Sequence, residues 1–317
     1  MKKPLKILLT TILTLIVVLA AAFLVANIYR RARYSDFYSM ATNAAPNEGL
    51  GDGYLPEDVT ALSAEDEVIY FTCGKAKKDA PSRIYMIKNN SEETYFSLVD
   101  EFGNDILTEF EGISVTNNYL LVSGNYNLYI IDLSHFINVI KTESSFLIDQ
   151  TSNKVAYDAC IKLDVSGDFL SVDNKGTTRT TDDILYVGSH SDLSTNYVYA
   201  YSLYDVLDGN LVLKYKIAII NNVEGLAVSN DKIVLVKPSG IFRPSSYYVY
   251  NKPLDEVSSD VYVLDDSSLE EVIEGPSLAA GLDYVDGNFI TLFQSASNKY
   301  FYGKFLFTNK IMSLAIK

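Results

Sequence analysis

Three glutamates recur at one position of a repeating pattern. Glu57 precedes Asp58-Val59, Glu111 precedes Gly112-Ile113-Ser114-Val115, and Glu224 precedes Gly225-Leu226-Ala227-Val228. Each stands just ahead of a short apolar run. If those runs surround a common axis, the three carboxylates share one ring. Several carboxylate oxygens converging on a point are hard ligands suited to calcium or another divalent cation. Glu57, Glu111 and Glu224 are therefore the candidate metal site. The same ring could cap a channel that takes a polar ligand, or be solvated turn residues at strand entries. A looser copy of the pattern offers Ala159, with Asp158 one position off, and the last offers Ala280, which leaves the ring incomplete.

Other chemistry is sparse. The two histidines, His135 and His190, sit in loop-like sequence with no partner at ligand spacing, and acid–base catalysis needs an oriented partner. No catalytic residue and no organic cofactor is assigned; calcium is the one candidate ion. Cys73 and Cys160 are too few for a disulfide framework and are expected as two free, partly buried thiols. Ser171-Val-Asp173-Asn-Lys-Gly176-Thr-Thr178 is similar to a sialidase-type Asp box, but its glycine comes one place late and its aromatic is missing. It reads as a hairpin turn. The glycines of 49–53 precede the first strand and no Lys-Ser/Thr follows them, which excludes a phosphate loop.

The elements that must position these residues are strands. From residue 57 no sustained helical spacing of apolar residues occurs. Short runs rich in Val, Ile, Leu and Tyr recur instead, split by Asn, Asp, Gly and Ser: Glu67–Thr72, Tyr119–Ser123, Ile184–Gly188, Lys232–Val236 and Asn288–Phe293. The chain holds 24 Tyr and no Trp, and tyrosine suits a half-buried pleated surface. The copies align as entry run, polar turn, second run, third run. They begin near Val59, Glu111, Ile161 (the loose copy), Glu224 and Gly281. Five copies of roughly 50 residues match one four-stranded propeller blade each. The fold class is thus all-β, a five-bladed β-propeller, with six blades as the alternative because the third copy is long and blurred.

Ahead of the repeats, Ile7 to Ile28 is uncharged and apolar apart from Thr10, Thr11, Thr14 and Asn27. A membrane-crossing helix needs roughly 20 such residues, whereas a signal-peptide core is usually shorter, about 7–15. The expected organisation is a tail at 1–6, a transmembrane anchor at 7–29, a linker at 30–56 and a propeller at 57–317. Lys2, Lys3 and Lys6 balance Arg30, Arg31 and Arg33 across the span. Only the N-terminal amine tips the balance towards a cytoplasmic N-terminus and an extracytoplasmic domain. Those six basic residues are all in the first 33, leaving 20 Lys and Arg against 40 Asp and Glu in the rest, a net charge of −20. Such a surface repels phosphate backbones, so nucleic acid is excluded as a partner.

The segment Gly53-Tyr-Leu-Pro-Glu57-Asp58-Val59, the repeats Gly112–Val115 with Leu121–Gly124, the entry Val223–Ala227 and the closing Leu292–Ala296 followed by Tyr300 resemble a family of bacterial membrane-anchored or secreted β-propellers of uncharacterised function. The resemblance spans 53–317 and implies a propeller fold and an extracytoplasmic location, without an activity. The chain departs from that pattern in having Glu57 and Glu224 for Gln, Asp58 for Gly and Gln294 for Glu. Two functions are compatible with all of this. One is a binding or interaction module holding a protein or glycan on a propeller face, with the membrane engaged through the N-terminal helix. The other is a metal-dependent hydrolase or lactonase with a central divalent cation. Fold alone does not choose between them.

Overall fold

The structure is a computed structural model that describes residues 3–64, 67–75, 80–88, 92–134, 153–175, 180–193, 195–252, 260–300 and 308–316. His135 lies outside the described residues. The first element is helix α1 (Lys3–Arg33). It is long and apolar enough to cross a membrane, with a mean hydropathy of 2.8 over its most apolar stretch, and none of that stretch is buried among the described residues. The polar residues of its apolar stretch are satisfied internally. The hydroxyls of Thr10, Thr11 and Thr14 donate to the carbonyls of Lys6, Ile7 and Thr10, and the Asn27 amide donates to that of Phe23. This back-bonding lets polar side chains sit in an apolar helix.

Five antiparallel sheets follow among the described residues, each a blade. Blade 1 is β2 (Leu55–Ala64), β3 (Glu67–Lys75), β4 (Arg83–Lys88) and β5 (Glu92–Val99). Blade 2 is β6 (Gly112–Val115), β7 (Tyr119–Gly124), β8 (Asn127–Asp132) and β10 (Ala159–Lys162). Blade 3 is β11 (Phe169–Asp173), β12 (Ile184–Gly188), β13 (Asn196–Ser202) and β14 (Leu213–Ile219). Blade 4 is β15 (Gly225–Val228), β16 (Lys232–Pro238), β17 (Ser245–Asn251) and β19 (Leu269–Gly275). Blade 5 is β20 (Ala279–Val285), β21 (Asn288–Phe293) and β22 (Lys310–Leu314), completed by β1 (Ala41–Pro46) from the other end of the chain. The innermost strands touch in the cyclic order β2, β6, β11, β15, β20 and back to β2. The ring therefore closes at five, not six.

The inner strands of each blade bury both faces, one against each neighbouring blade. That is why the runs read as near-continuous apolar stretches rather than strict alternation. In β7, Leu120 and Val122 pack towards blade 1 with Phe71 and Ile84, while Leu121 packs towards blade 3 with Leu185 and Val187. The same division gives one apolar core at each of the five blade interfaces.

Two placements differ from the sequence expectation. The loose third copy does not begin at Ile161: Ala159–Lys162 is the outermost strand of blade 2, paired to β8. Blade 3 begins at Phe169 instead. The displacement arises because the chain leaves blade 2 after β8 and lays β9 (Lys154–Ala156) parallel to β5 of blade 1 before returning as β10. Blade 4 repeats the device: β18 (Val261–Val263) pairs in parallel with β14 of blade 3 before β19 completes its own sheet. Each excursion straps one blade to the blade before it and stretches the repeat.

The second difference concerns 30–56. Instead of serving only as a linker, this stretch holds helix α2 (Ser35–Met40) and the closing strand β1. Phe37 of α2 is fully buried between blades 4 and 5, with its ring 5.6 Å from that of Tyr247 and 6.2 Å from that of Phe293. Gly275 makes room for it, since a Cβ there would lie 2.9 Å from the Phe37 ring. Arg33 also pairs with Glu274 at 3.2 Å. Residues 34–317 should therefore form a soluble, β-rich protein, whereas 47–317, lacking Phe37 and β1, should aggregate or melt far lower. Phe37→Ala should cost about 3–5 kcal/mol in denaturant titrations, the usual penalty for an emptied aromatic site.

Candidate functional site

The axis of the ring is occupied by one side chain. At the start of β2 the register slips between Pro56 and Asp58, leaving Glu57 as the extra residue of a bulge. Bulges re-aim the side chains beside them, and here Asp58 turns inward. It is completely buried. Its Oδ1 accepts from the N–H of Val59 at 2.8 Å and from Leu282 of blade 5 at 3.3 Å. Its Oδ2 accepts from Ile113 of blade 2 at 3.0 Å and from Leu170 of blade 3 at 3.5 Å. Blade 4 joins indirectly: the Gly281 N–H donates to the Glu224 carbonyl at 3.2 Å. Gly281 has φ +63°, and a Cβ on it would fall 2.6 Å from Asp58 Cα, so only glycine fits. Burial pushes the Asp58 carboxyl well upward, against the pull of its backbone N–H donors. Nothing in the repeat pattern pointed to this residue. The available signal was Asp58 as a departure from the pattern that the segment Gly53–Val59 resembles.

Asp58 separates two openings. At the entry ends of the inner strands, Glu111, Asp168 and Glu224 stand just before the strands of blades 2, 3 and 4, and the matching positions of blades 1 and 5 are Glu57 and Ala280, near the starts of β2 and β20. The expected Ala159 or Asp158 is replaced by Asp168, because blade 3 starts later than its sequence suggested. Four blades out of five thus supply a carboxylate. Glu57 feels both Glu111 and Glu224, and Glu111 contacts Asp168.

These acids have internal partners. Lys75 reaches Glu111 at 2.8 Å and also pairs with Glu109. Gln294 donates to Glu57 Oε2 at 2.8 Å; a glutamate in its place would meet Glu57 as a like charge. His190 Nδ1 lies 3.0 Å from Glu224 Oε1, and the His190 backbone N–H donates to Asp168 at 2.6 Å. His190 was expected to lack a partner; the folded chain brings it a carboxylate from the next blade. Burial is the main force raising the carboxyl of Glu57, with Glu224 and Glu111 adding to it and Lys75 opposing. Burial also raises Glu111, outweighing Lys75. The hydrogen bond to Glu224 raises His190. Burial disfavours the charged form of Lys75, but its bonds to Glu109 and Glu111 hold the ammonium above its ordinary range. In these conformations no three His, Cys, Asp or Glu side chains among the described residues are grouped to grip a metal.

On the far side of Asp58, Thr60 donates to Asp283 Oδ2 at 2.5 Å, and the Tyr284 N–H donates to Oδ1 at 2.8 Å. Burial lifts Asp283 to about 7. Beyond it opens a cavity of about 600 Å³, lined by the inner-strand ends and hairpins of blades 1, 2, 3 and 5. Asp173, in the segment read as a hairpin turn, is buried and bonds Lys252 at 2.5 Å and Lys175 at 3.3 Å, which is a structural role. Cys73 is buried and Cys160, expected to be partly buried, is exposed; both are free.

No protein-family profile matches the sequence, and no curated protein matches it at a significant level. Among solved structures, the hydrazine synthase of Kuenenia stuttgartiensis is similar at 11% identity and a TM-score of 0.40, over 79% of this chain and 56% of that one. The chain thus spans little more than half the length of that protein.

Asp58→Ala strands four backbone donors at the axis and should cost at least ~3 kcal/mol by denaturant titration. Asp283 titrates differently. Its folded value, about 7, lies above the ordinary 3.8, so the folded state holds the proton more tightly. The stability it confers is complete below about pH 4 and is lost as pH rises through about 7. Glu57 and Glu111 shift in the same direction. The wild-type melting temperature should therefore fall between pH 5 and pH 8, and Asp283→Asn should flatten part of that fall.

Proposed function

We propose that this protein is a membrane-tethered, extracytoplasmic binding module, and that the acid-ringed mouth of its propeller receives a cation. One observation carries the proposal. Carboxylates from four blades converge on one opening, where Glu57, Glu109, Glu111, Asp168 and Glu224 outnumber the bases that face them, Lys75, Lys299 and His190. Crowded carboxylates are relieved by a positive charge, and Glu57 and Glu111 hold their protons more tightly than usual. Calcium is the simplest such charge: Glu57, Glu111 and Glu224 would ligate it, with Asp168 as the fourth donor, after Lys75 swings off Glu111. A cationic side chain of a protein partner has the same complementarity. The membrane location rests on the length and apolarity of α1. The outward orientation rests on the N-terminal amine that tips an otherwise even basic balance.

Calcium at a hundredfold excess over its dissociation constant should stabilise the fold by about 2.7 kcal/mol. The double substitution Glu111→Gln with Glu224→Gln should abolish that gain. Without metal, it should leave the melting temperature equal or higher. A melting temperature that calcium does not move, or moves equally in both proteins, makes the mouth a closed internal charge network. Protease added to intact cells should remove the domain; protection until the membrane is opened would reverse the orientation.

A further inference from the structure

The cavity on the opposite side of Asp58 has a chemistry of its own. Asp183 and Asp283 are each only 6% exposed and form part of its wall; Asp286 is exposed at the rim. The Asp183 Oδ1 atom is buried and has no hydrogen-bond partner among the described residues. Nearly every buried polar atom of a folded protein is paired, so an orphan carboxylate oxygen in a cavity wall marks a missing donor. The ring residues Tyr119, Tyr204 and Tyr284 line the same space, and no Lys, Arg or His is among the described residues that do. A volume of about 600 Å³ is that of a small-molecule site. A carboxylate wanting a donor, aromatic walls and no competing cation among the described lining residues together describe a receptor for an ammonium group, which bonds the carboxylate and lies against aromatic faces.

We infer that this cavity is a second binding site, for a small organic ammonium compound. The charged nitrogen seats against Asp183 and the carbon body lies along the tyrosines. The site does not depend on the cation at the opposite mouth, from which the buried Asp58 layer separates it. Burial, with Asp173 and Asp182 adding like charge, lifts Asp183 to about 6, so the carboxylate is ionised at neutral pH and gains from a cation.

The test uses the full-length chain in nanodiscs of zwitterionic lipid, titrated calorimetrically with 1,5-diaminopentane and with its neutral counterpart 1,5-pentanediol. Saturable binding is expected for the diamine and none for the diol. Asp183→Asn should weaken diamine binding at least tenfold. Tyr204→Ala should weaken it several-fold; Tyr204 is 53% exposed, so its loss leaves the fold intact and decides the matter should the Asp183 variant not fold. Glu111→Gln with Glu224→Gln should leave diamine binding within twofold. Absence of diamine binding, equal binding of the diol, or equal binding by the Asp183 and Tyr204 variants overturns the inference. Loss of diamine binding in the double glutamine variant also overturns it, by moving the amine to the acidic mouth, and leaves the proposal for that mouth standing.

Discussion

A β-propeller has an unavoidable problem at its centre. Each innermost strand has a neighbour on one side only, so its inward backbone donors face an axis too narrow for ordinary solvation. Unpaired buried N–H groups are costly. Here one carboxylate answers for four of them: Asp58 accepts from Val59, Ile113, Leu170 and Leu282, which belong to blades 1, 2, 3 and 5. The bulge at Glu57 that turns Asp58 inward also frees Glu57 to face the mouth. Gly281 keeps the backbone of blade 5 close enough to reach both Asp58 and blade 4. The positions of the carboxylates at the mouth and of the cavity beyond follow from where this layer lies.

The rim is held by different means. β1 from the N-terminal side of the domain pairs with β22, so the ring is closed by strands from the two ends of the chain. The parallel strands β9 and β18 strap blade 2 to blade 1 and blade 4 to blade 3. Phe37 fills the interface of blades 4 and 5 only a few residues after the apolar helix ends. The apolar helix α1 is therefore followed directly by a segment that packs an aromatic side chain into the propeller and closes its ring.

The two openings handle charge in opposite ways. The entry mouth surrounds its acids with Lys75, His190 and Gln294, so most of its carboxylates already have a donor. The far cavity has acids and tyrosines and, among its described lining residues, no base. The entry mouth thus carries its own counter-charges, whereas the described lining of the far cavity supplies none.

Much of this was legible in the chain itself. The apolar run to Ile28 marks the helix, and short runs such as Leu120–Val122 and Ile233–Val236, buried on both faces, mark blade strands whose spacing yields five copies. Glu57, Glu111 and Glu224 were identifiable as equivalent because local repetition encodes equivalence. What depends on long-range pairing was not. Ile161 mimics an entry run because it is a strand, and only its pairing with β8 makes it the outer edge of blade 2, which is why Asp168 went unnoticed. β1 reads as linker because its partner lies more than 260 residues away. His190 meets Glu224, and Asp58 meets four blades, only when the ring closes. Local pattern determined the strands and their repeat in this protein. Closure of the ring decided which side chains share a point in space, because those contacts join residues that no local spacing relates.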